Sequence, residues 1–477
     1  MQYKFFPLFF FCSMSVWLNA QEQLGLRIEN YSGINSIFLN PANNLTTPFQ
    51  WDVNLAAAGQ FLDNNFGGFR NSSIGNLLNA RNSEIFLATD FPSDQQFPSN
   101  STVFDFTQAG EDKFIGIVTT ITGPAFLLNF EQHGFGFFTN FRGSIGGHNI
   151  PSVLGYNDYK DIIAGEDFSI FPSSVAGMTW SELGINYLFK AKLNNGTVGF
   201  GVNIKYLQGY ESFFIKNNRN LELTRMERDE LTFRNGAAIE FGFTTSSLDE
   251  EAINIQSNGS GFGFDIGVTY ATEDYLAGRG LKLGLSILDI GKINFDANTE
   301  YHLIDINESF FFNPRNFENV TDFREGLNLL NDELFEDTTT TFQGNTFDLA
   351  LPTALTLQAD VSIIENIFVN ATLIQRIPAR NVGVERGNLL AITPRYESRW
   401  ISGFLPVSIY NWQNVKVGAA IRLAFLTLGT EDLGSFLGKK ELTGTDFYAA
   451  IKLNPFQLGW KEGGGRGKGK ALPCYEF

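Results

Sequence analysis

Residues 183–206 read Leu-Gly-Ile-Asn-Tyr-Leu-Phe-Lys-Ala-Lys-Leu-Asn-Asn-Gly-Thr-Val-Gly-Phe-Gly-Val-Asn-Ile-Lys-Tyr. Leu183, Ile185, Tyr187, Phe189, Ala191 and Leu193 alternate with Gly184, Asn186, Leu188, Lys190 and Lys192. After Asn194-Asn195-Gly196 the alternation resumes. Val198, Phe200, Val202, Ile204 and Tyr206 fall on one face, and Thr197, Gly199, Gly201, Asn203 and Lys205 on the other. A period of two over this length is the signature of strands. The Asn-Gly pair between them signals a hairpin.

The same pattern spreads outward from this hairpin. Phe262, Phe264, Ile266, Val268 and Tyr270 alternate with Gly261, Gly263, Asp265, Gly267 and Thr269. Leu281, Leu283, Leu285 and Ile287 alternate with Lys282, Gly284, Ser286 and Leu288. Near the start, Trp51, Val53, Leu55, Ala57 and Phe61 oppose Asp52, Asn54 and Gln60. A soluble sandwich also alternates, but its strands average roughly five or six residues. These runs are about twice that length, aromatic-rich on one face and polar or glycine on the other, as in a membrane barrel. The composition agrees: 49 Phe and 48 Gly among 477 residues suit sheets better than helices. A formal charge of -17 disfavours binding to nucleic acid.

Met1–Ala20 reads as a signal peptide to be cleaved. Lys4 supplies the positive start, Phe5–Trp17 the apolar stretch and Leu18-Asn19-Ala20 a small-residue end. Cys12 has no lipobox before it. No later stretch is apolar enough for a membrane helix, so an exported chain of this pattern is expected to cross an outer membrane as a closed barrel. The expected fold is all-β: a transmembrane antiparallel barrel of about 14 strands over residues 50–456. A plug-like segment at 21–49 precedes it and a glycine-rich basic tail at 457–477 follows. Short periplasmic turns are read at 131–134, 194–196, 365–366 and 410–414, and long extracellular loops near 62–113, 148–179, 245–260, 294–351 and 429–444. The alternation of short turns with long loops holds only with a wall strand within Leu221–Glu230, where the residue pattern is weak, and the count is then even. In the loop at 294–351, Phe323, Leu327, Leu330 and Leu334 lie on one helical stripe. A loop folded on itself is favoured there over a binding lid.

The run Ser36-Ile37-Phe38-Leu39-Asn40-Pro41-Ala42 resembles the N-terminal signature of several outer-membrane barrels. These are FadL-type fatty-acid transporters and the PorV- and PorP-like barrels of type IX secretion. The order of Tyr31-Ser32-Gly33-Ile34-Asn35, Asp289-Ile290-Gly291 ending one strand, Leu351-Pro352-Thr353 opening another and Thr445-Asp446-Phe447-Tyr448 is similar to an uncharacterised barrel family. The resemblance implies fold and location. From the residues themselves, Pro41 is expected to stop a short helical turn that Asn40 caps. Asn40, Pro41, Ala42, Asp289 and Gly291 are thus candidate structural residues.

No chemistry is legible. His133, His148 and His302 share no metal-ligand spacing, and Cys474 has no histidine beside it. Gly464–Lys470 approaches a phosphate loop, but Ala471 stands where Ser or Thr should bind magnesium. Neither catalytic nor metal nor cofactor residues are expected, and the chain is read as no enzyme. Outer-membrane lipid is one expected partner, and a lipid or small solute in the lumen another. Two roles compete. The favoured one, implied by FadL-type barrels, is passage of a small or amphipathic solute, although the inward faces are too polar for a fatty-acid tunnel. The other, implied by PorV-like barrels, is a scaffold for secretion whose protein partner meets the loops and the basic tail.

Overall fold

The computed structural model of the chain describes residues 22–79, 85–88, 102–106, 112–155, 162–226, 230–246, 256–320, 322–413, 415–437 and 440–453. The signal segment, the tail and Cys474 lie outside them.

Fourteen antiparallel wall strands close into a barrel. They are β1 (Trp51–Asn64), β2 (113–129), β3 (His133–Ile150), β4 (Ser173–Leu193), β5 (Gly196–Asn217), β6 (Gly259–Thr272) and β7 (Leu281–Phe295). There follow β8 (347–364), β9 (Ile367–Arg376), β10 (Leu389–Glu397), β11 (401–410), β12 (415–423), β13 (Leu426–Thr430) and β14 (Gly444–Leu453). Each strand pairs with the next, and β14 returns to β1 with Ala57 opposite Ala450, so no edge is left open. Four strands are broken: β12 at Gly418, and three at a proline, β2 at Gly123-Pro124, β8 at Leu351-Pro352-Thr353 and β11 at Leu405-Pro406. Proline has no N–H for the ladder and interrupts these last three.

The burial is inverted relative to a soluble sheet. Leu183, Ile185, Phe200 and Ile204 are 52, 55, 53 and 42% exposed, while Glu182, Asn186, Asn203 and Lys205 are at most 3% exposed. An apolar face turned outward around a buried polar face is stable where the surroundings are hydrocarbon.

The count of fourteen is reached by a different route from the sequence reading. Leu221–Arg225 is a strand, but it lies outside the wall, pairing with Asp167–Ile170 and with Leu231–Phe233. The turn after Tyr410 lies at the long-loop end. Two turns at the opposite end were missed, 398–400 and 424–425. Neither holds glycine, asparagine or proline: the first is closed by Ser398, whose Oγ donates to the Ile401 carbonyl at 2.7 Å, the second by Ala424 at φ 50°. The face of β1 is also corrected. A bulge between Asn54 and Ala56 flips the alternation, so Ala57 and Phe61 point into the lumen.

Three long loops fold together at the open end. The sheet of Asp167–Ile170, Leu221–Arg225, Leu231–Phe233 and Phe310–Phe312 covers an apolar cluster that includes Ile170, Leu223 and Ile304. The helix Phe323–Phe335 packs Leu330, Leu334 and Phe335 onto it. Asp322 caps this helix by accepting from the N–H groups of Arg324 and Glu325 at 2.7 and 3.0 Å. The loop therefore folds onto its neighbours rather than on itself.

Ile204→Lys tests the orientation. On a solvent-exposed sheet the change would be nearly neutral; on a lipid face near mid-wall it should cost about 2–4 kcal/mol. Urea unfolding of the protein from lipid vesicles reads the difference.

Candidate functional site: the filled lumen

A fourteen-strand wall encloses more space than its own side chains fill. Here residues 22–49 occupy it, nearly all of them buried. The segment holds a short helix, Leu24–Arg27, and two 3₁₀ stretches, Asn30–Phe38 and Asn43–Thr46. Gly33 breaks the first 3₁₀ stretch at φ 55°; a side chain there would collide with Asp52.

The plug is held by both apolar and polar contacts. Leu24, Leu26, Ile28 and Leu39 pack among Phe61, Phe404, Tyr448 and other lumenal side chains, and Ile34 and Ile37 among Leu127 and Phe138. Gly25 N–H donates to the Tyr448 hydroxyl at 2.8 Å, and Leu24 N–H to Glu431 at 2.6 Å. Lys452 Nζ donates to the carbonyls of Tyr31 and Ser32, both at 2.7 Å, and pairs with Asp52 at 2.8 Å. Asp52 in turn accepts from Ile34 N–H at 3.0 Å. Asn30 N–H donates to Glu397 at 3.0 Å, and Arg422 holds Glu29.

The Asn40-Pro41-Ala42 run seats on three wall glycines. A Cβ on Gly201 would lie 2.3 Å from the Pro41 carbonyl carbon, and one on Gly267 would lie 2.2 Å from Asn40 Oδ1; Gly284 also abuts Asn40. Asn40 Oδ1 accepts from Ala42 N–H at 2.9 Å, closing a turn between the two 3₁₀ stretches. Its Nδ2 donates to the Val268 carbonyl at 3.1 Å, on β6. Asn186 and Asn203 reach inward to the carbonyls of Pro41 and Ile37 at 3.0 and 3.2 Å.

Asp289 and Gly291 do not end a strand; β7 continues through them to Phe295. Leu288 and Asp289 form a bulge opposite Asp265, with Asp289 at φ 55°; Gly291, paired with Gly263 just beyond, has φ 148°, and a Cβ there would strike the Phe262 carbonyl. The bulge turns Asp289 into the lumen next to Leu288. There its carboxylate accepts from Arg142 at 2.8 and 3.0 Å, from Lys205 at 2.6 Å and from Arg386 at 3.3 Å. Thr353 Oγ1 donates to the Asp289 carbonyl at 2.8 Å, and Leu351 N–H to Gly291 at 3.0 Å. The Asp289-Ile290-Gly291 and Leu351-Pro352-Thr353 motifs are thus one junction, and Asn40 of the plug bonds to β7, the strand that carries Asp289.

The network continues through Glu182, which pairs with Arg142 at 2.9 Å, Asp265, which pairs with Lys205 at 2.7 Å, and Glu22, which pairs with Arg386 at 3.6 Å and Arg27 at 3.7 Å. Four cations, Arg27, Arg142, Lys205 and Arg386, meet four carboxylates, Glu22, Glu182, Asp265 and Asp289. The charges balance, which suits a buried site. Beside them lies a cavity of about 30 Å³, lined also by Phe38, Asn140 and Pro352. That is room for roughly one or two waters, so the lumen at this level is closed.

The sequence reading missed Arg142, Glu182, Lys205, Asp265, Arg386, Glu29 and Arg422. Lys205 and Asp265 carried a signal, since each is a lone charge on a face of glycine and small polar residues. The histidines are scattered: His133 contacts Tyr187 at 2.9 Å on the outer face, His148 lies by Asn411 and His302 by Thr341. Among the described residues no group of three or more His, Cys, Asp or Glu is arranged to hold a metal.

The profile of a family of unknown function, DUF5723, matches residues 41–431. The chain belongs to that family. No curated protein matches. Among solved structures, this DUF5723 chain is similar to a TodX deltaS2S3 mutant monoaromatic hydrocarbon channel, at 10% identity and TM-score 0.40, covering 88% of this chain and 94% of that one. The deltaS2 mutant of TodX matches at 10% identity and TM-score 0.37, covering 88% and 93%. The ferric yersiniabactin uptake receptor FyuA from Yersinia pestis matches at 8% and TM-score 0.24, covering 68% and 43%. At TM-scores of 0.40 or below these likenesses carry no functional weight. The PorV- and PorP-like side of the resemblance gains no support among them.

Asp289→Asn removes one of four carboxylates facing four buried cations and should destabilise the barrel by about 3–5 kcal/mol. Asp348→Asn, which breaks an exposed pair with Lys292, should cost at most about 1 kcal/mol. Urea unfolding from vesicles compares the two.

Proposed function

We propose that this chain sits in an outer membrane and passes a small solute through its lumen, with residues 22–49 as the gate. The observation that carries the reading is what fills the bore: a separate segment, joined to the wall at Trp51, rather than side chains of the wall itself. A barrel with only a structural role could close at fewer strands and fill itself. The inward faces bring Asn186, Asn203 and Thr269 against one part of the plug and Phe61, Phe404 and Tyr448 against another, so a path opened by its movement is lined by both polar and apolar groups. Such a path suits a small solute that carries a polar or charged group.

A second reading, a scaffold for a protein partner, draws on the folded layer at the open end, where Phe171 and Phe311 are 59 and 65% exposed. A partner held there would co-purify at a fixed ratio.

The gate is tested by locking it. Asn35 Nδ2 of the plug donates to Asn54 Oδ1 of β1 at 3.1 Å. Asn35→Cys and Asn54→Cys, in a Cys474→Ser background, should cross-link with a short reducible bis-thiosulfonate. Solute-driven swelling of vesicles, run over a panel of sugars, amino acids and organic acids, should fall at least tenfold on locking and recover on reduction. Equal swelling in both states, or none with any solute, would sink the gating idea.

A further inference from the structure

The lumenal arginines differ in who neutralises them. Arg142 pairs with Glu182 and Asp289, both wall residues, and Arg395 with Asp360 and Glu397, again of the wall. Arg386 pairs with Asp289 of the wall as well as with Glu22 of the plug. Arg422, on β12, has its carboxylate from the plug: Nε donates to Glu29 Oε1 at 2.7 Å and Nη2 to Oε2 at 3.2 Å. This is the two-point geometry by which a guanidinium recognises a carboxylate. Ser402 on β11 completes it, donating its hydroxyl to Oε2 at 2.6 Å.

The receiving half belongs wholly to the wall and is held without the plug. Arg422 Nη2 donates to the Ser398 carbonyl at 2.6 Å and to Ser402 Oγ at 2.7 Å, and Nη1 to the Arg399 carbonyl at 3.1 Å. These fix the guanidinium beside the 398–400 turn, at the short-turn end of the lumen. Its remaining cover is the Tyr31 ring, 5.2 Å away, which is itself part of the plug. Withdrawal of residues 22–32 would remove the counter-charge and the cover together. It would leave a preformed carboxylate receptor, still held by the wall, without its counter-charge and open to the lumen.

We propose that Arg422 and Ser402 form a binding site for a carboxylate-bearing solute, and that Glu29 is its built-in stand-in, so that solute and plug compete for one site. This rests on the gating reading above and names the chemical class of what passes. A ligand that binds only the displaced state shifts the equilibrium toward it in proportion to its concentration.

The probe is butyrate, with butanamide as its uncharged counterpart, titrated against the full chain in detergent by calorimetry. Glu29→Ala should bind butyrate at least tenfold more tightly than the unaltered chain and butanamide not at all; Glu29→Ala/Arg422→Gln should bind neither. Equal binding of both probes, or no binding of butyrate by a folded Glu29→Ala barrel, overturns the site. Should Glu29→Ala fail to fold, judged by loss of its heat-modifiable gel shift, the intact plug gives the answer. Ser32→Cys in the Cys474→Ser background should react with a charged maleimide at least threefold faster in molar butyrate than in molar butanamide, and equal rates overturn the proposal. A lock that controls swelling while butyrate changes nothing sinks the carboxylate site alone. A butyrate effect with no control of swelling sinks the gating reading instead.

Discussion

The outward apolar face of the wall is the constraint on which the rest depends. Once Leu183, Ile185, Phe200 and Ile204 face hydrocarbon, the period of two drives Glu182, Asn186, Asn203 and Lys205 inward. Those groups are then buried without bulk water and each needs a partner. Cross-wall pairs meet part of the demand, as between Arg395 and Asp360 at 2.9 Å. The plug meets much of the rest with its backbone: the carbonyls of Tyr31, Ser32, Ile37, Leu39 and Pro41 all accept from wall side chains. An irregular segment suits this task because its carbonyls are not consumed by regular structure of its own.

Close packing imposes the second requirement. Hydrogen bonds at about 3 Å need the plug backbone to approach the wall, and Gly201, Gly267 and Gly284 supply the hollow that receives Asn40-Pro41-Ala42. The glycine-rich inner faces and the Asn-Pro-Ala run are two halves of one fit. The bulge at Leu288-Asp289 serves the same end from the wall side. By flipping the phase of β7 it puts a carboxylate where three cations converge, at a point where strict alternation would have turned it toward lipid.

What the sequence made legible follows from this physics. The long strands were readable because burial on one face alone keeps a strict period of two. The reading lost phase where a bulge breaks the period, at Leu55 in β1, and lost turns where a serine hydroxyl or a left-handed alanine replaces glycine, at Ser398 and Ala424. It placed a wall strand within Leu221–Glu230 because the alternation of turns and loops demanded one, whereas Leu221–Arg225 pairs outside the wall. Of the lumenal site, Asp289, Gly291 and Asn40 were visible through family resemblance. Their partners were not, since Arg142 lies 147 residues from Asp289 and Glu29 lies 393 from Arg422. Only closure of the barrel brings them together.

The plug is bound unevenly, and that unevenness has a mechanical meaning. On its carboxyl side, residues 37–46 are seated in glycine hollows and bonded to side chains of β4, β5 and β7 and to the backbone of β6. On its amino side, residues 22–32 meet Arg386 through Glu22, β10–β12 through Asn30 and Glu29, and β14 through Gly25, Tyr31 and Ser32, with the Gly33 break between the halves. Steric seating in a hollow cannot be relieved by a dissolved solute, because no solute reproduces the shape of the backbone. A carboxylate against a guanidinium can be replaced, because any carboxylate reproduces it. Of the two halves, the amino-terminal one is therefore the one with an ionic contact that a dissolved carboxylate can replace, and Gly33, at φ 55°, marks the boundary between them.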